Sequence, residues 1–176
     1  GALGNPDIHT PHMDRLAERG VAFTNGHIMG GSHPAICMPS RAMLLTGRSA
    51  FALERCGYAI PESHATLGEA FRASGYHTIG IGKWHNGAAS YARSFTDGGE
   101  ILFAGMEDHW HVPLCRFRPD GDYPLAQPFK SRLHLGREKE VVERRCDHIH
   151  DGRHYSEIFA DAAVAMIRKY AGAPEP

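Results

Sequence analysis

Apolar residues in the early part of the chain switch between helical spacing and short unbroken runs, a pattern that predicts helices alternating with strands. Thr10-Pro11 reads as an N-cap followed by proline at the first helical position. Met13, Leu16 and Ala17 follow at helical spacing, and Gly20 stops that helix. Val21-Ala22-Phe23 reads as a short strand, a Gly/His/Pro-rich loop runs from Gly26 to Pro34, and a second helix starts near Pro39. A third helix takes Thr66 as its N-cap, places Leu67, Ala70 and Phe71 inside and ends at Gly75. Tyr76 to Ile81 then reads as a buried strand. This alternation favours a parallel α/β sheet.

Residues 86–150 break the pattern. They are rich in Gly, Pro, Asp and His, show little periodicity, and read as long loops with short strands. Periodicity returns from Tyr155 to Tyr170, where Ile158, Phe159, Ala162, Ala163, Met166 and Ile167 form one apolar helical face. Ala171-Gly172-Ala173-Pro174 ends that helix. There is no internal repeat and no low-complexity tract.

Composition narrows the classes. A chain of 176 residues with 42% hydrophobic and 22% charged residues can bury the core of one compact domain. A net charge of −1 supplies no overall positive field for nucleic acid or an anionic membrane surface. No apolar run reaches membrane-spanning length, and no signal peptide is visible in a chain that opens with Gly1. Cys37, Cys56, Cys115 and Cys146 match neither a paired zinc motif nor a dense disulfide framework. The 13 histidines suit metals, anions and proton transfer.

Two segments carry the candidate chemistry. Cys37-Met38-Pro39-Ser40-Arg41 places a cysteine at a helix start, where backbone N–H groups and the helix dipole favour negative charge. Arg41 lies one turn on and can return toward the same spot, so a nucleophile stands beside a fixed cation, an arrangement suited to an anionic ester. On local chemistry alone, an inert buried cysteine with a solvated arginine fits equally well. The second segment is Gly82-Lys83-Trp84-His85, at the C-terminal end of the expected strand, where α/β sheets place their sites. Lys83 and His85 are two apart, so in extended backbone they point the same way and can flank one oxyanion.

The run from Cys37 to Gly47 and the run Gly75-Tyr76-His77-Thr78-Ile79-Gly80-Ile81-Gly82-Lys83-Trp84-His85 resemble the two signatures of the type I, formylglycine-dependent sulfatases. Gly4-Asn5-Pro6 and Thr10 to Ala17 resemble the family's segment leading to the nucleophile, and the helix over 155–170 fits the one expected before its next strand. The resemblance is weakest over 86–150. It implies an α/β fold of the alkaline-phosphatase type, a sandwich with a mainly parallel central sheet and helices on both faces, incomplete at both ends. It also implies one partial catalytic domain over 1–176: a nucleophile and Gly-Lys-Trp-His core at 1–85, a loop-rich substrate region at 86–150 and the amphipathic helix at 155–170.

The resemblance further implies conversion of Cys37 to Cα-formylglycine by a maturation enzyme, and hydrolysis of a sulfate ester by the hydrated aldehyde. Arg41 would hold the hydrate, Lys83 would bridge sulfate and the formylglycine oxygen, and His85 would orient the diol and act as base in sulfate elimination. Ca²⁺ is the implied metal, with Cys37, as formylglycine, the one ligand in this chain. The Asp-Asp pair, the later Asp with Asn or His and the leaving-group acid of the family pattern are not found, so this chain alone is expected to be inactive. A sulfated small molecule or carbohydrate, no nucleic acid, no membrane span and a periplasmic or secreted location complete the implied picture. A formylglycine-dependent phosphonate or phosphate monoester hydrolase and a non-catalytic fragment are the alternatives.

Three weaker constellations remain. In Met106-Glu107-Asp108-His109-Trp110-His111, His109 could contact sulfate and Trp110 stack on a sugar ring, or the Trp could pack among solvated histidines. Cys146, His148, His150 and His154 suggest a transition metal but match no recognised zinc spacing and read better as a turn into the last helix. The charged run from Arg137 to Arg145 reads as a solvated mixed-charge segment, and Asn86 stands where many members of the resembled family have leucine.

Overall fold

A computed structural model describes residues 1–27, 36–53, 57, 59–132 and 141–176. Two compact units divide the chain, Gly1–Pro34 and Ala35–Pro176.

The first unit is built on α1 (Pro11–Arg19). Pro11 supplies a preset φ at the first helical position, where its missing N–H costs nothing. Thr10 precedes the helix but does not cap it through its side chain; its hydroxyl donates to Asp14 Oδ1 at 2.9 Å, and Ala2 N donates to the same oxygen at 2.7 Å. Those two donors hold the Asp14 carboxyl below the usual carboxylate range. The strand expected over Val21–Phe23 does not form: the segment has no ladder partner among the described residues, and Phe23 is 87% exposed. Nearly all of the Gly26–Pro34 loop falls outside the described residues.

The second unit begins with α2 (Cys37–Thr46), which starts two residues before the expected Pro39 and ends on Gly47 in the left-handed conformation. A short 3₁₀ turn (Ala50–Ala52) follows, then α3 (Leu67–Ala73). Thr66 and Glu69 form a reciprocal capping box, with Glu69 N donating to Thr66 Oγ1 at 3.2 Å and Thr66 N to Glu69 Oε2 at 2.8 Å. Next come β1 (Ile79–Lys83), α4 (Ala88–Ser94) and β2 (Asp97–Leu102). β1 and β2 pair in parallel, so β1-α4-β2 is a single βαβ crossover.

Residues 86–150 are therefore more ordered than their composition suggests. Beyond β2 they supply β3 (His111–Leu114), β4 (Ala126–Lys130), β5 (Val141–Arg145) and β6 (His148–Asp151), paired antiparallel as β3-β6 and β4-β5. The helix α5 (Tyr155–Tyr170) closes the unit and packs on β1 and β2. The expected central parallel sheet is not seen among the described residues, whose strands form three two-stranded sheets with one parallel pair. Alternating helix and strand signals yield a parallel sheet only where successive strands share an edge. Here Val21–Phe23 contributes no strand, and the later segments pair as antiparallel ribbons.

An aromatic core fixes the crossover. Trp84, Tyr91 and Tyr123 are buried with Ile101 and Cys115, and Phe95 and Phe103 pack against them. Tyr91 donates its hydroxyl to Gly80 O at 2.7 Å, and burial raises its pKa above the usual phenol range. Gly80 leaves the room for that ring, since a Cβ there would lie 2.7 Å from the Tyr91 hydroxyl. α3 and α4 meet in the same way: Thr66 and Ser94 share a hydroxyl hydrogen bond at 2.8 Å, and Gly68 lies flat against the Ser94 carbonyl. Gly68→Ala would drive a methyl into backbone that cannot move independently. It is expected to cost roughly 1–3 kcal/mol in urea unfolding, and an unchanged midpoint would contradict this packing.

Candidate active site

Cys37 occupies the first position of α2, and its Sγ lies 3.2 Å from His85 Nδ1. The two segments singled out in the sequence thus meet. Asn86 helps to hold them there: it is buried, and its amide donates to Met38 O at 3.1 Å and Gly57 O at 3.4 Å, tying the first turn of α2 to the residue after His85. Arg41 donates to Lys83 O at 2.5 Å, a second tie between α2 and the end of β1.

The extended backbone assumed for Lys-Trp-His does not continue past β1. His85 has φ 68°, in the left-handed region that few non-glycine residues occupy and that histidine enters more readily than most. Trp84 turns into the core, where its Nε1 donates to Ser90 Oγ at 3.0 Å. The Lys83 ammonium and the His85 ring instead converge on one glycine. Lys83 Nζ donates to Gly105 O, and a Cβ on Gly105 would lie 2.6 Å from His85 Cε1 and 2.7 Å from His85 Nε2.

Gly105 and Met106 contribute to the walls of two cavities. One, of about 500 Å³, is lined by Arg41, Lys83, Glu107, His109 and Tyr155. The other, of about 740 Å³, is lined by Cys37, His85, Asn86, Glu143 and Arg144. Lys83 and His109 therefore face one space, and Cys37 and His85 the other. Trp110 lines neither; it is 53% exposed, edge-on to His154 at 5.4 Å.

The Cys37 cavity is electropositive. Burial is the main cause that pushes the His85 pKa down to about 4, and Lys83, Arg41 and Arg144 add repulsion against an imidazolium. His85 is thus a neutral imidazole at neutral pH, able to take a proton. Arg144 is a residue that the sequence pattern does not single out. It sits in the charged run that reads as solvated, of which residues 137–140 fall outside the described residues, but it pairs with the carboxylate of Glu107, which is 1% exposed. Ser131 Oγ donates to the same carboxylate at 3.2 Å. A buried acid needs such partners, yet nothing in the local sequence pairs Glu107 with an arginine 37 positions away.

Sulfatases typically use Ca²⁺ together with a formylglycine. Ca²⁺ takes six to eight oxygen ligands, several of them carboxylates. Among the described residues lining the Cys37 cavity, Glu143 is the one acid, and it stands among cations. These residues alone do not fit a calcium shell.

The sulfatase family model matches residues 1–175. The chain belongs to the sulfatase family. An arylsulfatase from Hemicentrotus pulcherrimus is 33% identical over 180 residues, covering 94% of this chain and 31% of the relative. Human N-acetylgalactosamine-6-sulfatase is 31% identical over 134 residues, covering 68% of this chain and 24% of the relative. An ulvan-active sulfatase from Formosa agariphila is 38% identical over 87 residues, covering 48% and 16%. The chain spans about a third or less of the length of these curated relatives.

The low pKa of His85 has a consequence for stability. An unfolded histidine titrates at 6.5 and the folded one at about 4, so between these values the unfolded chain binds the extra proton. Folding stability from this group is complete above pH 6.5 and is lost as pH falls toward 4. In chelator-treated protein, His85→Gln should flatten the fall of Tm over that window, and ring NMR should show His85 neutral at pH 6. A His85 titrating near 6.5 would contradict the cationic, buried setting.

Proposed function

We propose that this chain carries the nucleophile and its proton acceptor for a sulfuric ester hydrolase, with Cys37 converted to Cα-formylglycine. The observation that carries the proposal is the 3.2 Å approach of Cys37 Sγ to His85 Nδ1 inside an electropositive cavity, in a chain of the sulfatase family. As a hydrate, the formylglycine supplies one hydroxyl that attacks sulfur and releases the alcohol, and a second that loses its proton as sulfate leaves and the aldehyde returns.

The chain's own residues would act around those hydroxyls. His85, neutral and aimed by its Nδ1, accepts the proton of the second hydroxyl. Arg41 holds the end of β1 against α2 and adds positive charge beside the nucleophile. Lys83 and His109 line the neighbouring cavity with Arg41 and offer an ammonium and an imidazole to an anionic substrate. A sulfated carbohydrate is the proposed substrate class, supported by two relatives named for ulvan and for N-acetylgalactosamine 6-sulfate chemistry. A periplasmic or secreted setting accompanies it. No helix among the described residues is long and apolar enough to cross a membrane.

Coexpression with a formylglycine-generating enzyme should replace the Cys37 sulfur by a carbonyl oxygen, read by peptide mass spectrometry. An unmodified Cys37 in a host that matures other sulfatases would overturn the assignment. In the matured enzyme carrying this chain, His85→Ala should lower kcat by about 10²- to 10⁴-fold and accumulate a sulfate ester on the residue 37 peptide. Lys83→Ala should raise KM as well as lower kcat. Phosphate monoesters turned over faster than sulfate esters at matched concentrations would move the substrate class to phosphoryl transfer.

A further inference from the structure

We propose that Glu100, His148 and His150 form a binding site for a divalent transition ion of the Zn²⁺ type, separate from the Cys37 cavity. Among the described residues, this is the one group of His, Cys, Asp and Glu side chains whose ligand atoms gather closely enough to share an ion, all within 4.8 Å of one another. Nothing in the sulfatase chemistry described above uses it.

The backbone is shaped to bring these three side chains together. β1 and β2 slip register between Ile81 and Gly82: Ile81 faces Gly99 and Gly82 faces Ile101, which leaves Glu100 as the bulged residue. Glu100 has φ 49°, one of two non-glycine residues with positive φ among those described, the other being His85. Backbone strain of that kind persists where surrounding structure requires it. β3, bridged to β2 through Ile101 and Cys115, pairs with β6 and brings His148 opposite Leu114 and His150 opposite Val112. The two histidines are two apart on one strand and so share a face.

Both imidazoles aim Nε2 at the same oxygen. His148 Nε2 lies 2.9 Å and His150 Nε2 3.2 Å from Glu100 Oε2, with the rings edge-to-face at 5.1 Å. Ligands about 2.0–2.1 Å from a tetrahedral zinc stand about 3.3 Å apart, close to both spacings.

Two imidazoles and one carboxylate suit Zn²⁺ and its neighbours better than Ca²⁺, and three protein ligands leave one position for water. The group Cys146, His148, His150 and His154 therefore divides. His148 and His150 stay as ligands and Glu100 replaces Cys146. His154 does different work, its Nδ1 accepting from Ser156 N at 3.2 Å to cap α5.

Chelator-treated protein should be titrated with Zn²⁺ by calorimetry and with Co²⁺ by visible absorption. One equivalent is expected to bind, and Ca²⁺ at the same concentration should give no signal. Glu100→Gln and His150→Ala should each weaken Zn²⁺ binding by at least the 10- to 100-fold typical of losing even an outer partner of a metal ligand. Cys37→Ser should leave it unchanged. Far-UV circular dichroism checks each fold, and half-exposed His150 gives the informative variant if the bulge does not tolerate Gln at position 100. Absent Zn²⁺ uptake, uptake that survives both ligand substitutions, or uptake lost in Cys37→Ser would each overturn the site.

Discussion

Gly105 carries no side chain, and the side chains of Lys83 and His85 are packed into the space that this leaves. Its carbonyl receives the Lys83 ammonium, and its bare Cα lies against the His85 ring. Lys83 and His85 leave β1 in directions that extended backbone would not give, and Gly105 is where both come to rest. With the ring held there, Nδ1 faces Cys37 and the imidazole loses enough solvent to stay neutral. The cations then oppose its protonation, and the same charges suit an anionic ester. One small residue on a loop thus sets where the His85 ring and the Lys83 ammonium come to rest.

Much of this site is legible in the amino-acid sequence. Cys37 and Arg41 stand at a helix start, Lys83 and His85 at a strand end, and both pairs lie where the chain's periodicity changes. Local signals of that kind survive folding because they are carried by caps, glycines and short spacings, as the capping box at Thr66 and Glu69 also shows. The contributions of Gly105, Glu107 and Arg144 are not legible there. Each depends on a partner tens of positions away, brought close by strand pairing that composition does not encode. The same limit explains the fold. Of the βαβ crossover only the β1 strand follows from periodicity, whereas α4, β2 and the ribbons β3-β6 and β4-β5 arise in a segment that reads as long loops with short strands.

Two kinds of polar chemistry stay apart in the molecule. Around Cys37 the charges are mostly positive, and Glu107, a buried acid on the neighbouring cavity, is occupied by Arg144. At the β2 bulge, an acid and two imidazoles face one another. A Zn²⁺-type ion at the second place would lock β2 to β6, and β2 is the strand paired with β1, whose last residue is Lys83. Among the described non-glycine residues, positive φ occurs at His85, just past β1, and at Glu100, at the β2 bulge.

The clamp on Gly105 is tested most directly by Gly105→Ala in matured enzyme, with formylglycine occupancy measured in the same sample. The added methyl must displace the His85 ring, so kcat is expected to fall by about 10²-fold, the lower end of what a general base contributes, while occupancy at residue 37 stays at the parent level. A Gly105→Ala enzyme with full occupancy and parental kcat would show that the base does not depend on this glycine, and would contradict the account.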